Sequence, residues 1–119
     1  MDTTNTRRAT VETWAQAWSE PDEARRLGLL RQAAAPSCAY ADPNAEIEGH
    51  ASISAYMAGF QQSAPGVRFV NTAFMTHHHR CIVQWNMVDR DDKVLSPGVS
   101  VGTFDAQGRL AQMVGFFEA

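Results

Sequence analysis

The hydrophobic period of this chain changes once, at Gly66, and that change decides what it can fold into. Before it, Val11, Trp14, Ala15 and Trp18 fall at i, i+3, i+4 and i+7, one stripe of a helix running from about Thr4 to Trp18. Ile53, Tyr56, Met57 and Phe60 repeat the stripe from Ala51 to about Gln62, where "SAPG" ends it. After Gly66, residues 67–76, 80–89, 94–104 and 109–117 are rich in Val, Phe, Thr and Trp. They are separated by "HHH", "DRDDK" and "DAQG", which predicts four strands joined as a meander. In the second of these, Cys81, Val83, Trp85 and Met87 alternate with Arg80, Ile82, Gln84 and Asn86, so the odd-numbered face is predicted to meet the helices. The last strand carries Met113 and Phe117 on one side and Leu110, Val114 and Phe116 on the other. An apolar outer face of that kind predicts a covering partner, a homodimer through the outer face of the sheet.

The stretch between the two helical stripes completes the order. Ser19, followed by Glu20, Pro21 and Asp22, reads as a cap with proline near the first turn of a second helix. That helix points Ala24, Leu27, Leu30 and Ala34 inward and stops before Pro36. Ser37 to Ala41 is a short strand, "DPN" a turn and "AEIE" a brief extended piece closed by Gly49. Three helices, a strand unit and an antiparallel meander make a single α+β domain over residues 1–119, its sheet wrapped around the helices to leave a cavity. A chain of 119 residues is long enough to bury its own core.

Composition excludes several functions. Apolar residues at 45% and charged residues at 19% are too apolar a mixture for a disordered chain. Ten basic and thirteen acidic side chains, interspersed and netting -3, offer nothing to a phosphate backbone, so no nucleic-acid partner is expected. No run approaches the roughly 20 apolar residues that cross a bilayer. The start, "MDTTNTRRAT", lacks the apolar core of a secretion signal, so the chain reads as cytoplasmic with no membrane partner. Cys38 and Cys81 lie among apolar neighbours without metal-ligand spacing and read as buried free thiols, a disulfide being the alternative. Of His77, His78 and His79 at most two can share a strand face, and they sit where a hairpin turns, so an exposed turn is expected and no metal site. "PGVSVG" reads as glycines that bend a strand. No nucleophile motif and no cofactor motif is present.

Chemistry gathers at "CAYADPNAEIEGH", residues 38–50. Asp42 directly before proline is either a turn former, bonded to the N–H of residue 44 or 45, or the acid of a pocket. Backbone bonds of that kind would remove the enzyme reading, which is framed on a pocket carboxyl without backbone partners, whereas a carboxylate on an apolar pocket wall is driven to take up a proton. Tyr40 shares the strand parity of Asp42 and faces the pocket if Asp42 does. Tyr40 and Tyr56 bring phenols within reach of a substrate or of Asp42, or serve as buried structural hydroxyls. Trp14, Trp18 and Trp85 either stack on a flat substrate or fill the core. His50 opens the third helix as a terminal contact or as an acid or base beside Asp42.

Several stretches together resemble the SnoaL-like, polyketide cyclase-like branch of the nuclear transport factor 2 and ketosteroid isomerase superfamily. They are "W..AW...D..R...L" from Trp14, "YADP" at 40–43, "GHASISAY" at 49–56, "FDAQGRL" at 104–110 and the closing "GFF". The resemblance implies a cone-shaped α+β barrel with three N-terminal helices on a strongly curved, mainly antiparallel sheet, and a dimer. It also implies an apolar pocket between the helices and the concave face, with Trp18, Tyr40, Tyr56, Phe60, Val83, Trp85, Met87, Met113 and Phe117 as ligand-binding positions. Set against ketosteroid isomerase, Asp42 stands where the general base stands. Trp14 and Ser100 stand where a tyrosine and a protonated acid hold the oxyanion, and both are weaker donors than those they replace. With poor donors only an already acidic compound reacts well, which points to an activated, apolar carbonyl substrate for an isomerase or cyclase that uses no cofactor. A non-catalytic binding protein and a dimerisation module with an idle cavity are the alternatives, and a pocket of some hundreds of cubic ångströms would separate them from each other.

Overall fold

The structure, a computed structural model, describes residues 3–118. Helix α1 (Thr3–Ala17) buries Val11, Trp14, Ala15 and Ala17, with Trp18 buried just past its end. Helix α2 (Glu23–Ala33) starts later than the sequence suggests. Ser19 still belongs to the end of α1, its N–H and hydroxyl both turned to the Gln16 carbonyl. The cap is Asp22, whose carboxylate accepts the Arg25 N–H at 2.9 Å. That start rotates the inward face onto Arg26, Leu30 and Ala33 and leaves Ala24 exposed, correcting the expected stripe.

Strand β1 (Ala34–Asp42) is longer than the predicted Ser37–Ala41 and takes in Pro36 where its register shifts between Ala34 and Ala39, a place in a sheet where proline is tolerated. β1 turns through Pro43 and Asn44 into β2 (Ala45–Glu48). Gly49 follows at φ 90, in the left-handed region that favours glycine, and leads into α3 (His50–Ser63), which buries Ile53, Ser54 and Met57. The meander is then β3 (Arg68–His77), β4 (Arg80–Val88), β5 (Val94–Phe104) and β6 (Leu110–Phe116). The six strands form one open sheet in the order β2-β1-β6-β5-β4-β3, antiparallel throughout except for the β1–β6 pair. The helices lie against it, α1 on β3 and both α2 and α3 on β1.

The core sits between these layers. Cys81 and Val83 of the odd face of β4 are buried, and Ile82 and Gln84 of the even face are exposed. Leu110 departs from its expected place on the outer face. The register shift between Thr103 and Phe104 turns it inward, fully buried in the same cluster as Met113. Phe116 does face outward and is 53% exposed. Cys38 and Cys81 are buried and free, and burial pushes the Cys38 thiol up to about 12, so it is not a thiolate at neutral pH. His78, at φ 53, and His79 make the β3–β4 turn, exposed, with the Arg7 guanidinium donating to the His78 carbonyl. Among the described residues no three side chains are grouped as metal ligands, and no helix is long and apolar enough to cross a membrane.

Candidate active site

One face of the sheet, with α1 and α3, lines a cavity of about 260 Å³, a little below the usual range for drug-sized ligands. Its helical wall is Val11, Trp14, Ala15 and Trp18 from α1 and the chain just after it, with Tyr56 and Phe60 from α3. Its floor is Val83, Trp85 and Met87 from β4, Met113 from β6 and, just beyond it, Phe117. Asp42, Tyr40 and Ser100 complete the set, so the positions expected as oxyanion donors, base or ligand contacts all lie on this one surface, with His50 the exception. Asn44, Phe69, Asn71, Ser96, Gly115 and Glu118 also line it. Phe69 carries a readable signal, an apolar residue at the start of a strand; the mouth residues Asn44, Ser96 and Glu118 carry none.

Aromatic rings make the cavity stiff. The Trp18 ring lies 5.6 to 5.9 Å from those of Tyr40, Tyr56, Phe60 and Phe69, mostly edge to face. Such contacts add about 0.5–1.5 kcal/mol per pair beyond burial and hold each ring in one orientation. Trp14 packs on Tyr40 at 5.7 Å. The indole that reaches a polar group is Trp85, whose Nε1–H donates to the Ser100 hydroxyl at 3.0 Å. With Trp85 occupying an acceptor site of Ser100, the Ser100 O–H is left to donate into the cavity. Gly98 is what lets Trp85 lie there, since a Cβ at that position would fall 2.2 Å from the indole. Its role is to make room for a ring, which the bend expected of "PGVSVG" does not describe.

Asp42 is both of the things the sequence left open. Its Oδ1 accepts the Asn44 N–H at 2.8 Å, the bond of a side chain closing its own turn. The same carboxylate accepts the Tyr40 O–H at 2.7 Å on Oδ2, and the Tyr56 O–H lies 3.0 and 2.9 Å from its two oxygens. The enzyme reading in its first form, a base free of backbone partners, is therefore removed; the carboxylate has one oxygen in the turn and turns the other to two phenols. Burial first, and then the hydrogen bond and the charge of Asp42, push the Tyr56 phenol up to about 12 and the Tyr40 phenol higher still. Both are fixed as proton donors at neutral pH. Across the wall from Asp42, a Cβ built on Gly115 would stand 3.5 Å from the Tyr40 hydroxyl and 3.7 Å from both Asp42 Cβ and Ser100 Oγ. The polar end of the cavity is thus a glycine floor with a carboxylate on one side and a hydroxyl on the other. His50 is elsewhere, its Nε2 2.9 Å from the Ala34 carbonyl, a contact that ties the start of α3 to β1.

An open six-stranded sheet carrying three helices and an aromatic hollow defines an α+β domain. Residues 11–113 match the family described as SnoaL-like domain, and the chain belongs to that family. Among solved structures, a candidate isomerase of the SnoaL-like family from Agrobacterium tumefaciens is 29% identical with TM-score 0.88, covering 97% of this chain and 99% of that one. A candidate polyketide cyclase from Sinorhizobium meliloti is 16% identical with TM-score 0.72, covering 90% and 93%. A protein with a cystatin-like fold from Methylobium petroleophilum is 17% identical with TM-score 0.77, covering 98% and 78%. The latter two likenesses speak to the fold. No curated protein matches the sequence.

Proposed function

We propose that this chain is a cofactor-free enzyme of the isomerase or cyclase type that moves a proton on a small, flat, activated carbonyl compound, with Asp42 as the base. The observation that carries the reading is the Asp42 carboxylate at the polar end of an aromatic cavity, opposite a Ser100 hydroxyl whose own proton is unspent. Enolisation needs a base near a carbon-bound proton and a donor near the oxygen that gains charge, and both are there without help from a bound group. Trp14 and the other aromatic walls hold the flat body of the substrate. The neutral hydroxyl of Ser100 is a modest donor, which keeps the substrate class to carbon acids that are already acidic. The names given to the Agrobacterium and Sinorhizobium proteins, isomerase and polyketide cyclase, are of this chemical kind.

Hydrogen–deuterium exchange next to the carbonyl of β-tetralone, followed by NMR, tests the reading. The protein is expected to accelerate exchange over buffer, and Asp42→Asn to lower the catalysed rate about a hundredfold. Equal rates for the two proteins would remove Asp42 as the base. Binding of β-tetralone with no exchange in the wild-type protein would leave a ligand-binding protein in place of an enzyme.

For the outer face of the sheet we propose a second copy of the chain as the cover. Strand register sets Met75, Ile82, Val101, Val114 and Ala41 side by side in one apolar row across five strands, with Met75 69% exposed. The row ends at Glu46 on β2, and Arg80 stands two residues from Ile82 on β4, so a copy turned end for end brings opposite charges together. Val101→Glu is expected to halve the mass measured by sedimentation. A wild-type protein that sediments as a monomer overturns the proposal.

A further inference from the structure

The hydrogen bonds around Asp42 do not all have the same character. A carboxylate has about four lone-pair directions, and here four contacts use them: Asn44 N–H and Tyr56 O–H on Oδ1, Tyr40 O–H and Tyr56 O–H on Oδ2. These are three donors, since the one Tyr56 proton makes two of the contacts, and they crowd the carboxylate enough that an arriving proton is best met when one donor leaves. Tyr40 is the wrong candidate. It is 5% exposed, two residues away on the same strand, and makes one short bond of 2.7 Å. The Asn44 N–H is held in the turn. Tyr56 comes from α3, is only partly buried, lines the cavity, and shares one proton between two oxygens at 2.9 and 3.0 Å, so neither bond has its full strength.

We infer that Tyr56 is a transferable donor: bonded to Asp42 in the resting site, its O–H passes to the carbonyl oxygen of the substrate as Asp42 takes up the carbon-bound proton. This rests on the proposed function of Asp42 and adds a catalytic residue to it. In the step, the C–H bond breaks and an O–H bond forms on the Asp42 carboxyl group. The electron pair moves through the new carbon–carbon double bond to the carbonyl oxygen, and the Tyr56 O–H bond stays intact and only changes its acceptor. Charge leaves Asp42 as it appears on the substrate, so the phenol follows the charge. Return of the proton from Asp42 to a different carbon restores the carboxylate and brings Tyr56 back.

Tyr56→Phe removes the hydroxyl and nothing else, and it simultaneously frees lone pairs on Asp42. If Tyr56 is the moving donor, kcat for β-tetralone exchange falls about a hundredfold. If it merely restrains Asp42, the rate stays the same or rises, and the inference is overturned. A binding arm stands apart from catalysis: β-naphthol carries an enol-like hydroxyl on a flat ring, and naphthalene lacks it. Tyr56→Phe is expected to weaken β-naphthol at least tenfold and leave naphthalene unchanged; equal weakening of both, or of neither, counts against Tyr56. Should Asp42→Asn exchange as fast as wild type, the base assignment fails while the β-naphthol arm still decides the role of Tyr56. Should Tyr56→Phe not fold, the wild-type protein answers, because its ring-carbon NMR signals come from only two tyrosines. On adding β-naphthol the Tyr56 signal is expected to move and that of Tyr40 to stay; an unmoved Tyr56 signal overturns the inference.

Discussion

Replacing Gly98 with alanine is expected to drive the Trp85 indole from its seat and open the floor of the cavity. A Cβ at residue 98 would stand 2.2 Å from Cη2 and Cζ2 of Trp85 and 2.7 Å from Cε2, far inside contact distance. Gly98 is paired with Trp85 across β4 and β5, one residue before the β5–β6 pairing begins at Val99, so the backbone cannot retreat without opening the β4–β5 ladder. The ring has to move instead. It gives up its edge contact with Phe69 at 5.1 Å, its contact with Phe117 at 6.2 Å and its hydrogen bond to Ser100. Overpacking of this kind costs about 1–3 kcal/mol. The loss of alignment at Ser100 adds a second effect, on the oxyanion side of the site, that thermal stability does not report. Gly98→Ala should melt several degrees lower, shift the tryptophan emission toward that of an exposed indole, and bind β-naphthol at least tenfold more weakly. A variant that matches wild type in melting and in binding would show that the ring can be reseated at no cost.

That glycine also shows where sequence reasoning runs short. The helical stripe of Trp14 and Trp18 and the odd-face run from Cys81 to Met87 are periodic, and a period fixes which way a side chain points. The direction of Trp14, Trp18, Val83 and Trp85 was legible for that reason, whereas the last strand, apolar on both sides, left Met113 and Phe117 to the family resemblance. Contacts between residues of different elements carry no period. The bond from Trp85 to Ser100 depends on which residues of β4 and β5 stand opposite each other, and two register shifts on β5, against β4 and against β6, are invisible in a string of letters. The same blindness misplaced Leu110, which a single irregularity at Thr103 and Phe104 turns from the outer face into the core.

Asp42 shows the complementary limit. Its turn bond to Asn44 is local, two residues away, and was stated as one of two outcomes. Its bond to Tyr40 follows from strand parity, which puts i and i+2 on one face. The bond to Tyr56 spans a helix and fourteen residues and comes from how α3 crosses β1, which is decided by the packing of Ile53, Ser54 and Met57. Treating turn former and pocket acid as exclusive was the error, because a carboxylate has enough lone pairs to do both. Near chain ends of elements, capping was misjudged for a related reason: Ser19 and Asp22 are both good caps by type, and only the extent of α1 chooses between them.

Arg26 is the residue of largest structural consequence that no pattern suggested, and its loss is expected to cost about 3 kcal/mol. It sits on the buried face of α2, 4% exposed, where an arginine is uncommon. Its Nε donates to the Ser54 hydroxyl on α3 at 2.8 Å, and an Nη donates to the Glu20 carbonyl at 2.8 Å with the Pro21 carbonyl at 3.4 Å. Gln61 reaches the same Glu20 carbonyl from α3 at 3.0 Å. One guanidinium therefore joins three pieces of chain: the loop after α1, α2 itself and α3. Hydrogen bonds from a charged donor are worth about 1.5–3 kcal/mol each, and removing the donor also strands the buried Ser54 hydroxyl, while Gln61 still serves the Glu20 carbonyl. Arg26→Met keeps the stem and its packing and deletes only the fork, so it isolates that cost; Arg26→Lys restores charge without the planar fork and should recover little. Denaturant unfolding checks the magnitude. The effect should not stop at stability, because the loop carries Trp18 at its start and Ser54 stands two residues before Tyr56. Loosening either widens the cavity, so β-naphthol affinity should fall together with the midpoint. If Arg26→Met unfolds at the wild-type midpoint, the arginine is tolerated in the interior rather than required there, and the alignment of α3 with β1 must come from the apolar contacts of Ile53 and Met57 alone.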